Sequence, residues 1–309
     1  MAEPVVSVNG LVKRYGDVPG VDGISFEVAK GEVFVLLGPK GAGKTTTMEV
    51  IGCKSPPTSG SVRVLGHSVA DPVGISEIKM KIGVQPQLFS EPERRAVAAN
   101  LKHLVDTSQP SVDLMALFDL KEALEKTESH MINPFGMFRR RVESTTPAAN
   151  DAEIILLDDP TGGLDISIRK VVWRIIKKWQ ARGATIILST SNAQEAEQLA
   201  DRIGILSSGK LMALDTPAGL LGRFGGDRSI IFRNGGDAVF GTLRRYFDNA
   251  SMEGPDVLLP FERLRDLEVA FTALVGRGLE FEVAFRIPTI EDVFHTLVAT
   301  KKYSTHRAG

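Results

Sequence analysis

Glu32-Val-Phe-Val-Leu-Leu-Gly-Pro-Lys-Gly-Ala-Gly-Lys-Thr-Thr46 decides the fold. Its first six residues are nearly all apolar and β-rich, which predicts a central strand buried on both faces. A glycine-rich turn comes next, then a helix from about Lys44 to Gly52, closed by the turn Pro56-Pro-Thr-Ser-Gly60. Gly38 to Thr45 fits G-x-x-x-x-G-K-[ST], placed after a buried strand and before a helix. There the chemistry needs it. The glycines at 38, 41 and 43 let the backbone curl so that N–H groups point at phosphate oxygens, and the helix start adds a favourable dipole. The residues Gly38, Pro39, Lys40, Gly41, Ala42, Gly43, Lys44, Thr45 and Thr46 are therefore expected to line a nucleotide phosphate site. Lys44 would meet the β/γ-phosphate oxygens and Thr45 would bind Mg²⁺. The competing reading is a glycine-rich turn with an accidental Lys-Thr pair.

Working outward, Ile154-Ile-Leu-Leu-Asp158 supplies a second apolar strand ending in a carboxylate, the other half of a phosphate site. Asp158 would hold Mg²⁺ through water; alone, it would read as a helix N-cap. Strands are also expected at 5–8, 24–28, 62–65, 184–189 and 202–206, with helices near 166–181 and 192–201. This alternation predicts an α/β core with a mostly parallel sheet. Residues from about 91 to 145 switch to helical spacing and read as an inserted helical subdomain. Gly225-Gly226-Asp227 reads as a linker ending a first domain at about 224. Beyond it, 227–309 reads as a small α+β domain with the element order of a split βαβ sandwich.

Lys plus Arg total 37 and Asp plus Glu 38 among 309 residues. That balance argues against a general nucleic-acid binder. One cysteine, Cys53, excludes an internal disulfide and a multi-thiolate zinc site and suits a reducing compartment. The opening residues lack a signal-peptide pattern, and no apolar run reaches the ~20 residues that span a bilayer. A membrane role must come through a partner.

VKRYGD at 12–17, GPKGAGKTT at 38–46, GVQPQ at 83–87, ILLDDPTGGLD at 155–165 and EAEQLADRI at 195–203 occur in the order of the ABC ATPase family, and the chain resembles it from residue 5 to about 224. The resemblance implies a P-loop NTPase core that binds ATP and Mg²⁺. It makes Tyr15 the adenine-stacking aromatic, a contact worth ~1–3 kcal/mol. It makes Gln87 the glutamine that reaches Mg²⁺ and senses the membrane partner, with Gln85 as competitor. Gly163-Leu-Asp165 matches the loop that crosses the dimer interface. Ile287-Pro-Thr-Ile-Glu-Asp-Val-Phe294 resembles the C-terminal extension of drug- and polysaccharide-exporting members. The implied partners are integral membrane permease subunits and a second ABC ATPase domain, as homo- or heterodimer. The implied location is peripheral, on the cytoplasmic face of the cell membrane.

Three positions depart from the family. Asp159 stands where a catalytic glutamate polarises water, with a stem one methylene shorter, and ~1 Å of misplacement can cost on the order of 10²-fold in rate. Ser191 stands where a histidine contacts the γ-phosphate. Asn133-Pro-Phe-Gly-Met137 stands where the L-S-G-G signature loop belongs. Pro134 then removes a hydroxyl and a backbone donor. These departures predict an ATP-binding subunit with slow or absent hydrolysis. The alternatives are an active exporter ATPase using Asp159 as base, and a nucleotide-sensing structural subunit that transports nothing.

Overall fold

The computed structural model describes residues 3–85, 152–164 and 166–304. The chain divides into two compact units, Met1–Thr216 and Pro217–Gly309.

The first unit opens with β1 (Val6–Tyr15) and β2 (Val18–Val28), a long antiparallel pair, then β3 (Val33–Leu37) and α1 (Lys44–Ile51). β4 (Ser59–Val64), β5 (His67–Ser68), α2 (Pro72–Lys81) and β6 (Ile82–Gln85) come next. β7 (Ile154–Asp158), α3 (Ile166–Ala181), β8 (Thr185–Thr190), α4 (Ala193–Leu199), β9 (Arg202–Ser207) and β10 (Lys210–Asp215) complete it. The described strands of this unit form two sheets, in strand orders β2-β1-β4-β5 and β10-β9-β3-β8-β7-β6. In the second sheet β9, β3, β8, β7 and β6 run parallel, with β10 antiparallel at one edge.

Every residue of β3, β7 and β8 is buried. One face, through Phe34, Leu36, Ile154, Leu156 and Ile187, joins Val8, Ile24 and Phe26 of the antiparallel sheet and Met48 and Ile51 of α1 in one core. Phe26 stacks on Phe34 with centroids 4.9 Å apart. The alternate residues, such as Val35, Leu157 and Leu188, are also fully buried, and α3 and α4 pack against these strands. Burial on both faces is what helix-covered parallel sheets require. It also brings the carboxyl ends of β3, β7 and β8 together.

The second unit begins with α5 (Pro217–Phe224). This moves the boundary from the expected 224–227 back to Thr216. Leu220 is fully buried and α5 packs on the C-terminal helix, so α5 belongs to the second unit. Gly225 is no open linker either: a Cβ there would meet the Leu221 carbonyl and the Pro288 ring. The unit continues through β11 (Ser229–Arg233), α6 (Gly236–Leu243), β12 (Ser251–Glu253), β13 (Asp256–Pro260), α7 (Leu264–Leu274), β14 (Glu282–Arg286) and α8 (Ile290–Ser304). The sheet order β12-β13-β11-β14, antiparallel throughout, is the βαββαβ arrangement. Its buried core is mainly aliphatic around Phe232, with the partly buried Phe271 and Phe281 edge-on to that ring. The helical subdomain expected at about 91–145 lies outside the described residues.

Candidate nucleotide site

The site grows from the carboxyl ends of β3, β7 and β8. Beyond Leu37, the Gly38 amide donates to the Thr190 carbonyl (3.2 Å), tying the loop to the end of β8. The loop then turns through Gly41 and Gly43, at φ of 80° and 102°, where non-glycine residues rarely go. Two positions need glycine for space as well: a Cβ at 38 would run into the Leu206 carbonyl, and one at 43 into the Gly20 carbonyl. The Gly209 amide donates to the Ala42 carbonyl (3.0 Å), and the Asp22 amide to the Gly209 carbonyl (2.8 Å), so β2 and the turn after β9 brace the loop.

Lys44 Nζ donates to the carbonyls of Gly38 (2.7 Å) and Pro39 (2.9 Å), folding the ammonium over the loop. Burial pulls its pKa below the ordinary lysine value, while the Asp159 and Asp158 carboxylates push it back up. Those two acids therefore lie within electrostatic reach of the ammonium. α1 starts with no side-chain cap and no acid in its first turn. Its leading N–H groups and positive dipole end are left for an anion. Thr45 and Lys40 are exposed; Pro39 and Thr46 are half-buried.

Asp158 is buried at the end of β7 and accepts from the Ser189 hydroxyl on β8. Asp159 turns out of the strand at φ 49°, its amide donating to the Ser189 carbonyl (2.9 Å) and its carbonyl accepting from the Gly162 amide (3.2 Å). Aspartate tolerates this left-handed backbone. The turn lays its carboxylate against Gly162, where any side chain would collide with it. Ser191 is exposed directly after β8, in the bend before Asn192 caps α4.

Tyr15 is half-exposed at the end of β1. Its hydroxyl donates to Glu49 Oε2 on α1 (3.3 Å), Lys13 Nζ sits 5.3 Å from its ring centre, and a Cβ at Gly20 would press on both its ring edge and Thr46. The structure thus brings Tyr15, the 38–46 loop, Asp158, Asp159 and Ser191 to one end of the first unit. Gln87, residues 133–137 of the signature position and Asp165 lie outside the described residues.

Sequence reasoning missed Glu195. It is fully buried, and its Oε1 accepts from the Thr161 hydroxyl (2.7 Å) and Trp173 Nε1 (2.9 Å), while Oε2 has no hydrogen-bond partner. Burial raises its pKa against the pull of its bonds from Thr161 and Trp173. It pins the turn after Asp159 to α3. The alternating polar run Gln194-Glu-Ala-Glu-Gln198 gives no sign of it.

The residues fit a nucleotide by their own geometry: a glycine-only cradle, an uncapped helix start, and one lysine beside two acids. Among the described residues no cluster of three or more His, Cys, Asp or Glu side chains could hold a metal alone. Mg²⁺ would have Thr45 and Asp158 here, with nucleotide oxygens and water completing its shell.

Comparison with known proteins agrees. The family model described as ABC transporter matches residues 21–162. The daunorubicin resistance ATP-binding protein DrrA3 of Streptomyces coeruleorubidus is 32% identical over 95% of this chain and 96% of its own. The Nod factor export ATP-binding protein I of Rhizobium sp. (strain N33) is 31% identical over 95% of this chain and 97% of its own. Among solved structures, cbiO1 of Clostridium perfringens, part of the ABC transporter complex cbiONQ, covers 72% of this chain and 92% of its own at a TM-score of 0.54 and 22% identity, a likeness of fold. A bacterial ABC transporter cassette in dimeric form covers 68% of this chain and 98% of its own at a TM-score of 0.50 and 24% identity. The chain belongs to the ABC transporter family, as one of its ATP-binding subunits.

Proposed function

We propose that this subunit binds MgATP with slow or absent hydrolysis and passes its nucleotide state to integral membrane permease subunits, on the cytoplasmic face of the membrane. The relatives named for daunorubicin resistance and Nod factor export favour an exporter of that kind. In this reading the 38–46 loop and the start of α1 hold the phosphates, Lys44 neutralises them, Thr45, Asp158 and Gln87 hold Mg²⁺, and Tyr15 carries the adenine. Bound Mg²⁺ would offset phosphate charge. A second ATPase domain, of the same or another chain, would complete each site.

The observation that carries slow turnover is Asp159. Its short stem rises from a left-handed backbone fixed on both sides by hydrogen bonds, and its carboxylate rests on Gly162. A longer reach from the same Cα is what a water-polarising base needs. Ser191 supplies no imidazole, and Pro134 supplies no signature hydroxyl. Groups that act as a unit are strongly non-additive. The test is hydrolysis by Asp159→Glu, Ser191→His and a restored signature at 133–136, singly and together. A large gain is expected only in the combined variant, with ATP binding nearly constant. Full activity after Asp159→Glu alone would place the whole defect at that one side chain and contradict the distributed account.

A further inference from the structure

The second unit ends its sheet on β14, which pairs with β11 on one side and with no other strand among the described residues. The register sets Val283 opposite Phe232 and Phe285 opposite Ile230. Since Ile230 and Phe232 are fully buried in the core, residues 283 and 285 lie on the core face. The run Phe281-Glu-Val-Ala-Phe-Arg-Ile287 alternates without a break, apolar on that face and Glu282, Ala284, Arg286 on the other. Cover falls away along it. Phe281 packs on Phe232 at 5.3 Å, but Val283 is 41% exposed, Phe285 54% and Ile287 65%.

Edge strands are normally blunted by a bulge, an inward charge or a proline within the strand. β14 has none of these: its pairing with β11 shows no register shift, and its two charges sit at its ends, off the core face. Laid antiparallel against a copy of itself about Ala284, the strand is self-complementary. Glu282 meets Arg286, Val283 meets Phe285, and both matches occur twice across the two-fold. A parallel match would instead set Glu against Glu and Arg against Arg.

We propose that β14 is a homodimer edge, on which a second copy of this chain adds its own β14 antiparallel, joining the two four-stranded sheets. The partner is fixed by the charge order and the apolar order together. A pairing this short buries less than the ~1,200 Å² of a standard stable interface. It is a weak contact alone and a useful one between chains already held in one assembly, where effective concentrations reach the ~mM range. It does not depend on nucleotide turnover.

The test uses the full chain with Cys53→Ala and no nucleotide. Ala284→Cys should give a disulfide-linked dimer under mild oxidation, because directly opposed residues of an antiparallel pair have Cα atoms about 4.5–5.5 Å apart. Glu253→Cys, on the opposite edge strand, should not. Separately, Glu282→Arg or Arg286→Glu places like charges opposite each other twice. Each should weaken self-association about three- to tenfold, and the double exchange should restore it. Cross-linking at 284 no greater than at 253 would overturn the proposal. So would a double exchange no better than the single ones.

Discussion

Glu195→Ala removes the acceptor shared by the Thr161 hydroxyl at 2.7 Å and Trp173 Nε1 at 2.9 Å. Both donors are themselves buried. Leaving a buried donor unpaired costs ~1–3 kcal/mol, so two give roughly 2–6 kcal/mol. Removing a buried carboxyl whose Oε2 has no partner returns part of this, so the net loss is about 2–4 kcal/mol. In a unit of this size each kcal/mol moves Tm by ~2–4 °C, which sets the expected fall at roughly 4–16 °C. Glu195→Gln keeps an oxygen for both donors and should lose much less. The pH dependence separates them further. Burial raises the folded-state pKa of Glu195 above the ordinary 4.5, so the folded state favours the protonated form. Its stabilising contribution is full below that ordinary value and fades as pH rises through the raised one. The stability of Glu195→Gln relative to wild type should therefore rise with pH. Scanning calorimetry between pH 4.5 and 8.5 reads both effects. An alanine variant melting within about 2 °C of wild type, or alanine and glutamine variants melting alike, would refute the bridging role.

A chain ending at Thr216 should keep MgATP binding, since every described residue of the proposed site lies in the first unit; a folded truncation that no longer binds nucleotide would place part of the site elsewhere. Lys44→Ala should abolish thermal stabilisation by MgATP, which at a hundredfold excess over Kd amounts to ~2.7 kcal/mol in the unmodified chain. Equal stabilisation in both would remove Lys44 from the site.

The phosphate loop is legible in the sequence because its information is local. A run of five apolar residues, three glycines and Lys44-Thr45 lie within one stretch, and nothing distant alters their meaning. The apolar pattern marks β1 and β2 as strands of five residues or fewer, yet they run from Val6 to Tyr15 and from Val18 to Val28. Gly10, Lys13 and Arg14 interrupt the pattern, and the pair absorbs them through register shifts near those residues. Glu195 is invisible in the sequence because its structural partners lie 22 and 34 residues away, at Trp173 and Thr161. Gly225 looks like a hinge by composition, whereas tertiary packing against Pro288 gives it its place. The shorter stem of Asp159 is plain in the sequence. That its carboxylate settles on Gly162 depends on a backbone angle that no spacing rule supplies.

Steady-state hydrolysis by the unmodified chain at saturating MgATP tests the central claim most directly. Nucleotide should bind, and turnover should lie well below the ~1–10³ s⁻¹ typical of enzymes. Turnover within that range, abolished by Lys44→Ala, would show that Asp159 and Ser191 suffice and that the chain is an active transport ATPase.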